Sequence, residues 1–130
     1  MTEFDKKYIL VADDDPATVR LIKTIVESEG FVAITAADGK EAYRVIQSGG
    51  PISGAIVDIR MPYIEGTELV KFMRSDERFS KIPVVMMTGE RKPQVSSTSR
   101  SAGAIAFLPK PFTNTQLKLM LNIFRSEGVQ

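Results

Sequence analysis

At 130 residues, with 43% hydrophobic content and a net charge of +1, the chain suffices for one domain with a filled core. It is neither disordered nor basic enough to favour nucleic acid. It contains no cysteine and no histidine, which excludes disulfides, thiolate or imidazole zinc sites, and Ser-His-Asp or Cys-His catalysis.

Any metal must therefore be held by oxygen, which favours Mg²⁺, Mn²⁺ or Ca²⁺. The amino-terminal residues MTEFDKKYIL lack the apolar stretch of a signal peptide, and no apolar run is long enough to span a bilayer. The expectation is a soluble, cytoplasmic protein with no membrane partner.

In chain order, Tyr8-Ile9-Leu10-Val11-Ala12 reads as a buried strand that stops at three aspartates. Pro16 to Glu29 reads as a helix with Val19, Ile22, Ile25 and Val26 on one face. Asp15-Pro16 starts it as N-cap followed by proline at the first helical position, and Gly30 stops it. Phe31 to Thr35 is a second strand. Asp38-x-x-Glu41 is a capping box for a helix ending near Gly49-Gly50.

Ala55-Ile56-Val57 leads into Asp58 as strand three, and a helix covers Thr67 to Arg74. Pro83 opens strand four, which runs through Val84-Val85-Met86-Met87 to Thr88. A fourth helix is expected over 95–101, where serine, threonine and valine make it the weakest of the set. Ala104 to Leu108 is strand five, and Thr113-x-x-Gln116 caps a final helix with Leu117, Met120, Leu121 and Phe124. Alternating βα units with nearly uninterrupted apolar strands predict a parallel sheet covered by helices on both faces.

In such sheets function gathers at the carboxyl ends of the strands. Here those ends carry Asp13-Asp14, Asp58, Thr88 and, shortly after strand five, Lys110. Three carboxylates brought together repel unless a cation intervenes, and a hard divalent ion suits oxygen ligands. A hydroxyl and an ammonium suit phosphoryl oxygens instead. Cation ligands and phosphate ligands at one edge, with a carboxylate between them, point to phosphoryl transfer onto that carboxylate.

Four stretches carry a family resemblance: Ile9 to Pro16, Val57-Asp58-Ile59-Arg60-Met61-Pro62 with Gly66, Met87-Thr88-Gly89, and Leu108-Pro109-Lys110-Pro111-Phe112. Together, and in this order after their own strands, they resemble the receiver domains of two-component response regulators. The resemblance covers nearly the whole chain, residues 1–130 forming one receiver domain. It implies a flavodoxin-like, doubly wound five-stranded parallel sheet of order 2-1-3-4-5 with five helices.

It further implies that Asp58 accepts a phosphoryl group from a sensor histidine kinase or a histidine phosphotransfer protein. Asp14, Asp58 and the backbone carbonyl of Arg60 would ligate Mg²⁺, or Mn²⁺, with Asp13 acting mostly through a coordinated water. Thr88 and Lys110 would contact the phosphoryl group, Thr88 and Phe107 would act as the switch, and the Lys110-Pro111 bond would be cis. The face formed by the fourth helix, fifth strand and last helix would then control a downstream protein. The chain would be a phospho-acceptor signalling domain rather than an enzyme, a monomer or a phosphorylation-dependent dimer, with no direct contact to nucleic acid.

Structural readings compete at several positions. Asp15 has a complete job as N-cap, Gly66 marks a tight helix start, and a strand aromatic such as Phe107 is usually core. A haloacid-dehalogenase-type phosphatase would carry a second carboxylate where Arg60 stands. A flavin or nucleotide module would need an open first βα turn, where three aspartates and a proline stand instead. A pseudo-receiver, used only as an interaction surface, shares the fold. Arg60 and Glu90, two residues beyond Asp58 and Thr88, would pair across the mouth of the site and hold hydrolytic water away.

Overall fold

The computed structural model describes residues 6–89 and 103–126. These form β1 (Tyr8–Ala12), α1 (Pro16–Ser28), β2 (Val32–Ala36), α2 (Gly39–Ser48), β3 (Gly54–Asp58), α3 (Gly66–Ser75), β4 (Val84–Thr88), β5 (Ala106–Pro109) and α4 (Asn114–Ser126). All strand pairs are parallel, in the order β2-β1-β3-β4-β5. The described residues contain four helices rather than the expected five, because the helix expected over 95–101 lies outside them. None of the described helices is long and apolar enough to cross a membrane.

The strands show why the sheet is covered twice. β3 and β4 are buried along their whole length, and β1 from its second residue onward. Successive side chains of a strand point to opposite faces, and both sets here are apolar. Leu10, Ala12, Ala55, Val57, Val84 and Met86 join one core with Leu69, Val70 and Met73 of α3 and Ala42 and Ile46 of α2. Ile9, Val11, Ile56, Val85 and Met87 join the other with Ile22, Ile25 and Val26 of α1 and Leu117, Leu121 and Phe124 of α4. Full burial of one such side chain contributes roughly 1.5–3 kcal/mol, so hydrophobic burial on both faces dominates the stability.

The caps follow the sequence closely. Asp15 accepts from the Ala17 N–H at 3.2 Å and from the Thr18 hydroxyl at 2.7 Å. Asp38 accepts from the Glu41 N–H at 2.8 Å. The Glu41 carboxylate reaches one residue further back than a standard box and accepts from the Ala37 N–H at 2.9 Å. Thr113 and Gln116 complete a reciprocal box at 3.1 and 2.8 Å. Gly49 closes α2 in the left-handed conformation, at φ 73°.

Element edges shift by a residue or two from expectation. β2 begins at Val32, β4 at Val84 and β5 at Ala106. Pro83 has no N–H for the ladder, yet its carbonyl accepts from Ala55 at 3.1 Å, so it abuts the strand rather than opening it.

Arg74, in the last turn of α3, ties three segments together. Its guanidinium donates to the Gly103 carbonyl at 3.2 and 2.8 Å and to the Phe79 and Ser80 carbonyls at 3.2 Å each. Burial holds its pKa below the usual arginine range, but the group stays charged. Arg74→Ala should therefore destabilise the protein by about 1–3 kcal/mol in urea unfolding, since three partly buried carbonyls lose their donor. Arg74→Lys should recover less than half of that loss, because an ammonium cannot reproduce the planar fork.

Candidate functional site

Strand register sets the site. Ala12 lies opposite Val57, so the next residues, Asp13 and Asp58, emerge side by side at the carboxyl edge. Asp58 lies opposite Met87, and Thr88 ends β4 beside it. Thr88 in turn lies opposite Pro109, and its carbonyl accepts from the Lys110 N–H at 2.7 Å. The structure thus brings together Asp13, Asp14, Asp58, Thr88 and Lys110 from the carboxyl ends of four strands.

Asp13 is fully buried, Asp58 and Thr88 are nearly so, and Asp14 is exposed. Carboxylate oxygens of Asp13, Asp14 and Asp58 lie within 4.8 Å of one another. Lys110 bridges two of them, donating to Asp13 at 2.7 Å and to Asp58 at 3.0 Å. The second oxygen of Asp13 accepts from the Asp15 N–H at 2.9 Å, and the Arg60 N–H approaches the second oxygen of Asp58 at 3.4 Å.

Burial pushes the Asp58 carboxyl above the usual range and the Asp13 charge adds to this, although hydrogen bonding to Lys110 opposes it. For Lys110, burial favours the neutral amine. The hydrogen bonds and charges of Asp13 and Asp58 outweigh that cost, and its pKa rises. A single ammonium offsets one of three clustered carboxylates, leaving an excess of negative charge that a divalent cation would balance. The donor set is all oxygen and fits Mg²⁺ or Mn²⁺.

The remaining expectations divide. Asp15 is held below the usual carboxylate range by the Thr18 hydroxyl and the Ala17 N–H, as its capping role requires. Gly66 opens α3, donates to the Ile59 carbonyl at 2.8 Å, and has no room for a Cβ against the Asp58 carbonyl. Phe107 sits half-buried on β5 against the core that α2 and α3 cover. The Lys110–Pro111 bond is cis. Arg60 pairs with Glu65 of its own loop at 3.1 Å, and Glu90 lies outside the described residues.

Two residues at this edge were not singled out from sequence. Gly39, the first residue of α2, packs on the β3–α3 loop, and Tyr63 in that loop has φ 71°. The Asp38-Gly39 pair offered a faint signal for the first, while the second carried none.

Comparison with known proteins agrees with this architecture. Residues 9–122 match the family described as the response regulator receiver domain. The chemotaxis protein CheY1 of Helicobacter pylori is 34% identical over 116 residues, covering 88% of this chain and 94% of that protein. The response regulator GtcR of Aneurinibacillus migulanus is 34% identical over 106 residues, covering 82% of this chain but only 42% of GtcR. The chain thus spans nearly all of one relative and less than half of the other.

Among solved structures, a CheY-like receiver domain protein from Methanospirillum hungatei superposes with a TM-score of 0.85 at 30% identity, covering 97% of this chain and 100% of that one. Sheet order, edge chemistry and family match converge, and the chain belongs to the response regulator receiver domain family.

Proposed function

We propose that this chain is a phosphorylation-switched signalling domain that takes a phosphoryl group onto Asp58. The observation that carries the reading is the Lys110 ammonium bridging Asp13 and Asp58, two buried carboxylates clustered with the exposed Asp14. The donor is a phosphohistidine on a sensor histidine kinase or a histidine phosphotransfer protein, as the family implies. An Asp58 oxygen forms the new O–P bond as the P–N bond breaks and the histidine ring departs.

Asp14, Asp58 and the Arg60 carbonyl would hold Mg²⁺ or Mn²⁺, with Asp13 acting through a water. When bound, the cation neutralises charge on the phosphoryl oxygens. Lys110 keeps Asp58 oriented before transfer and meets the incoming phosphoryl oxygens with a charge-assisted hydrogen bond. Thr88, one residue beyond the level of Asp58, supplies a hydroxyl to the same oxygens, and Phe107 responds on the adjoining strand. The switched surface then engages a downstream protein. A receiver fold used only as an interaction module gives no reason to bury carboxylates at such cost, so the complete acidic set favours the acceptor reading.

Incubation with acetyl phosphate and Mg²⁺ should place label on the parent protein, and Asp58→Asn should take none. Undiminished labelling of that variant would overturn the assignment. Chelation of the cation should abolish labelling of the parent.

The cluster also sets a pH dependence in chelator. The folded pKa of Asp58 is raised, so its contribution to stability is present at low pH and lost as pH rises through the folded pKa. At neutral pH the ionised carboxylate therefore opposes folding. Asp58→Asn should raise stability there, since it removes the buried charge while Lys110 keeps its bond to Asp13. The advantage should shrink on acidification and reverse when Mg²⁺ is added to both proteins. Urea unfolding followed by circular dichroism at several pH values checks this; a parent more stable than Asp58→Asn in chelator at neutral pH contradicts it.

A further inference from the structure

The β3–α3 loop, residues 59–65, carries the Arg60 carbonyl and must keep one shape for the carboxylate cluster to work. At its base, Ile59 donates to Met87 at 3.0 Å and Gly66 donates to Ile59 at 2.8 Å. Ile59 and Met61 are buried in the core beneath α2 and α3. The tip is less well provided for. Tyr63 is 78% exposed and left-handed at φ 71°. A non-glycine residue keeps that conformation only where the surroundings impose it. The Tyr63 ring is not buried, and its contact with Lys40, 5.6 Å from the ring centroid, is at the surface.

What imposes the conformation is the first turn of α2. Gly39 donates its N–H to the Pro62 carbonyl at 3.2 Å, and the same carbonyl accepts from Ile64 at 2.9 Å. A Cβ at Gly39 would collide with the Ile64 carbonyl oxygen and lie 2.7 Å from its carbon. Only glycine lets the helix backbone lie directly on the loop backbone here. The Glu41 N–H goes to Asp38, so the cap box leaves the Gly39 donor free to be spent on the loop.

We propose that Gly39 is a positioning residue for the cation-binding loop. By admitting the α2 backbone onto Pro62 and Ile64, it holds Tyr63 left-handed and fixes the path of the chain through Arg60 back to Asp58. Gly39 touches neither cation nor phosphoryl group; it acts through the loop. The inference rests on the reading that the carboxylate cluster binds Mg²⁺. Residues that orient metal ligands without touching the metal commonly change affinity by about 10–100-fold.

The test is calorimetric titration of Mg²⁺ into the parent, Gly39→Ala and Gly54→Ala. Gly54 is a control for crowding alone: a Cβ there would strike the Phe124 ring at the opposite end of β3. Gly39→Ala should bind Mg²⁺ at least about tenfold more weakly, whereas Gly54→Ala should stay within about twofold of the parent even where it lowers the unfolding midpoint. Hydrogen exchange on the parent needs no variant. Because coupling is reciprocal, saturation with Mg²⁺ should slow exchange at the Gly39 amide. A parent that binds no Mg²⁺ overturns the cation reading and this inference with it. A parent that binds Mg²⁺, with undiminished affinity in Gly39→Ala, equal losses in both variants, or unaltered Gly39 exchange, overturns the inference alone.

Discussion

Two aspartates, one fully buried and one nearly so, share a single ammonium at the edge of this sheet. That arrangement requires β1 and β3 to be neighbours, so that Asp13 and Asp58 emerge side by side. It also requires β5 to lie close enough for Lys110 to reach back past β4. The order β2-β1-β3-β4-β5 meets both conditions. The chain leaves β1 toward β2 on one side and returns to β3 on the other, so the crevice between β1 and β3 is where the topology reverses. Open α/β sheets bind ligands at such points because the loops there diverge and expose strand ends.

A crevice of this kind serves chemistry only if its walls are rigid, and the two apolar layers provide the rigidity. Side chains before Asp13 and Asp58 alternate between cores that are covered on both faces, leaving the strands little freedom to slip. A shift of register by one residue would exchange every inward and outward side chain and would separate Ala12 from Val57. Close backbone approach does the rest. At Gly66 the start of α3 lies against the Asp58 carbonyl, and at Gly39 the start of α2 lies against Ile64. Both glycines stand where the start of a helix meets backbone at or just beyond the end of β3.

Much of this was legible because local chemistry and global architecture agree. The apolar runs of β1, β3 and β4, the three caps at Asp15, Asp38 and Thr113, and the polar residue ending each central strand all follow from short-range rules. Asp13, Asp14, Asp58, Thr88 and Lys110 converge because a parallel sheet aligns every strand end on one side. What sequence could not express is contact between distant backbones. Asp38-Gly39 hints at a turn, but it does not identify the loop more than twenty positions later that rests on it. Nothing in Tyr63 announces a left-handed φ, since aromatic residues avoid that region. In the sequence Arg74 is only the boundary of an expected helix, and the fold reveals the carbonyls of Gly103, Phe79 and Ser80 around it. The edges of β2 and β5 moved because hydrogen bonding to a neighbour, not propensity, decides where a strand begins.

The two ends of the sheet are built on opposite electrostatic terms. At the amino end, Lys7 donates to the carbonyls of Phe124 and Arg125 at 2.6 and 3.2 Å, supplying donors where α4 runs out of its own. Arg125 donates to the Glu29 carbonyl and carboxylate at 2.9 and 3.0 Å and lies 5.0 Å from the Phe31 ring centroid. The Phe31 and Phe124 rings then meet edge to face at 6.3 Å. Charges there are paired and carbonyls are capped. At the carboxyl end a buried carboxylate is held above its usual pKa, and one ammonium serves a cluster that calls for more positive charge. Placing the well-satisfied contacts far from the site lets the fold tolerate an edge whose clustered carboxylates are costly. The same excess of negative charge makes that edge favour species that bring positive charge.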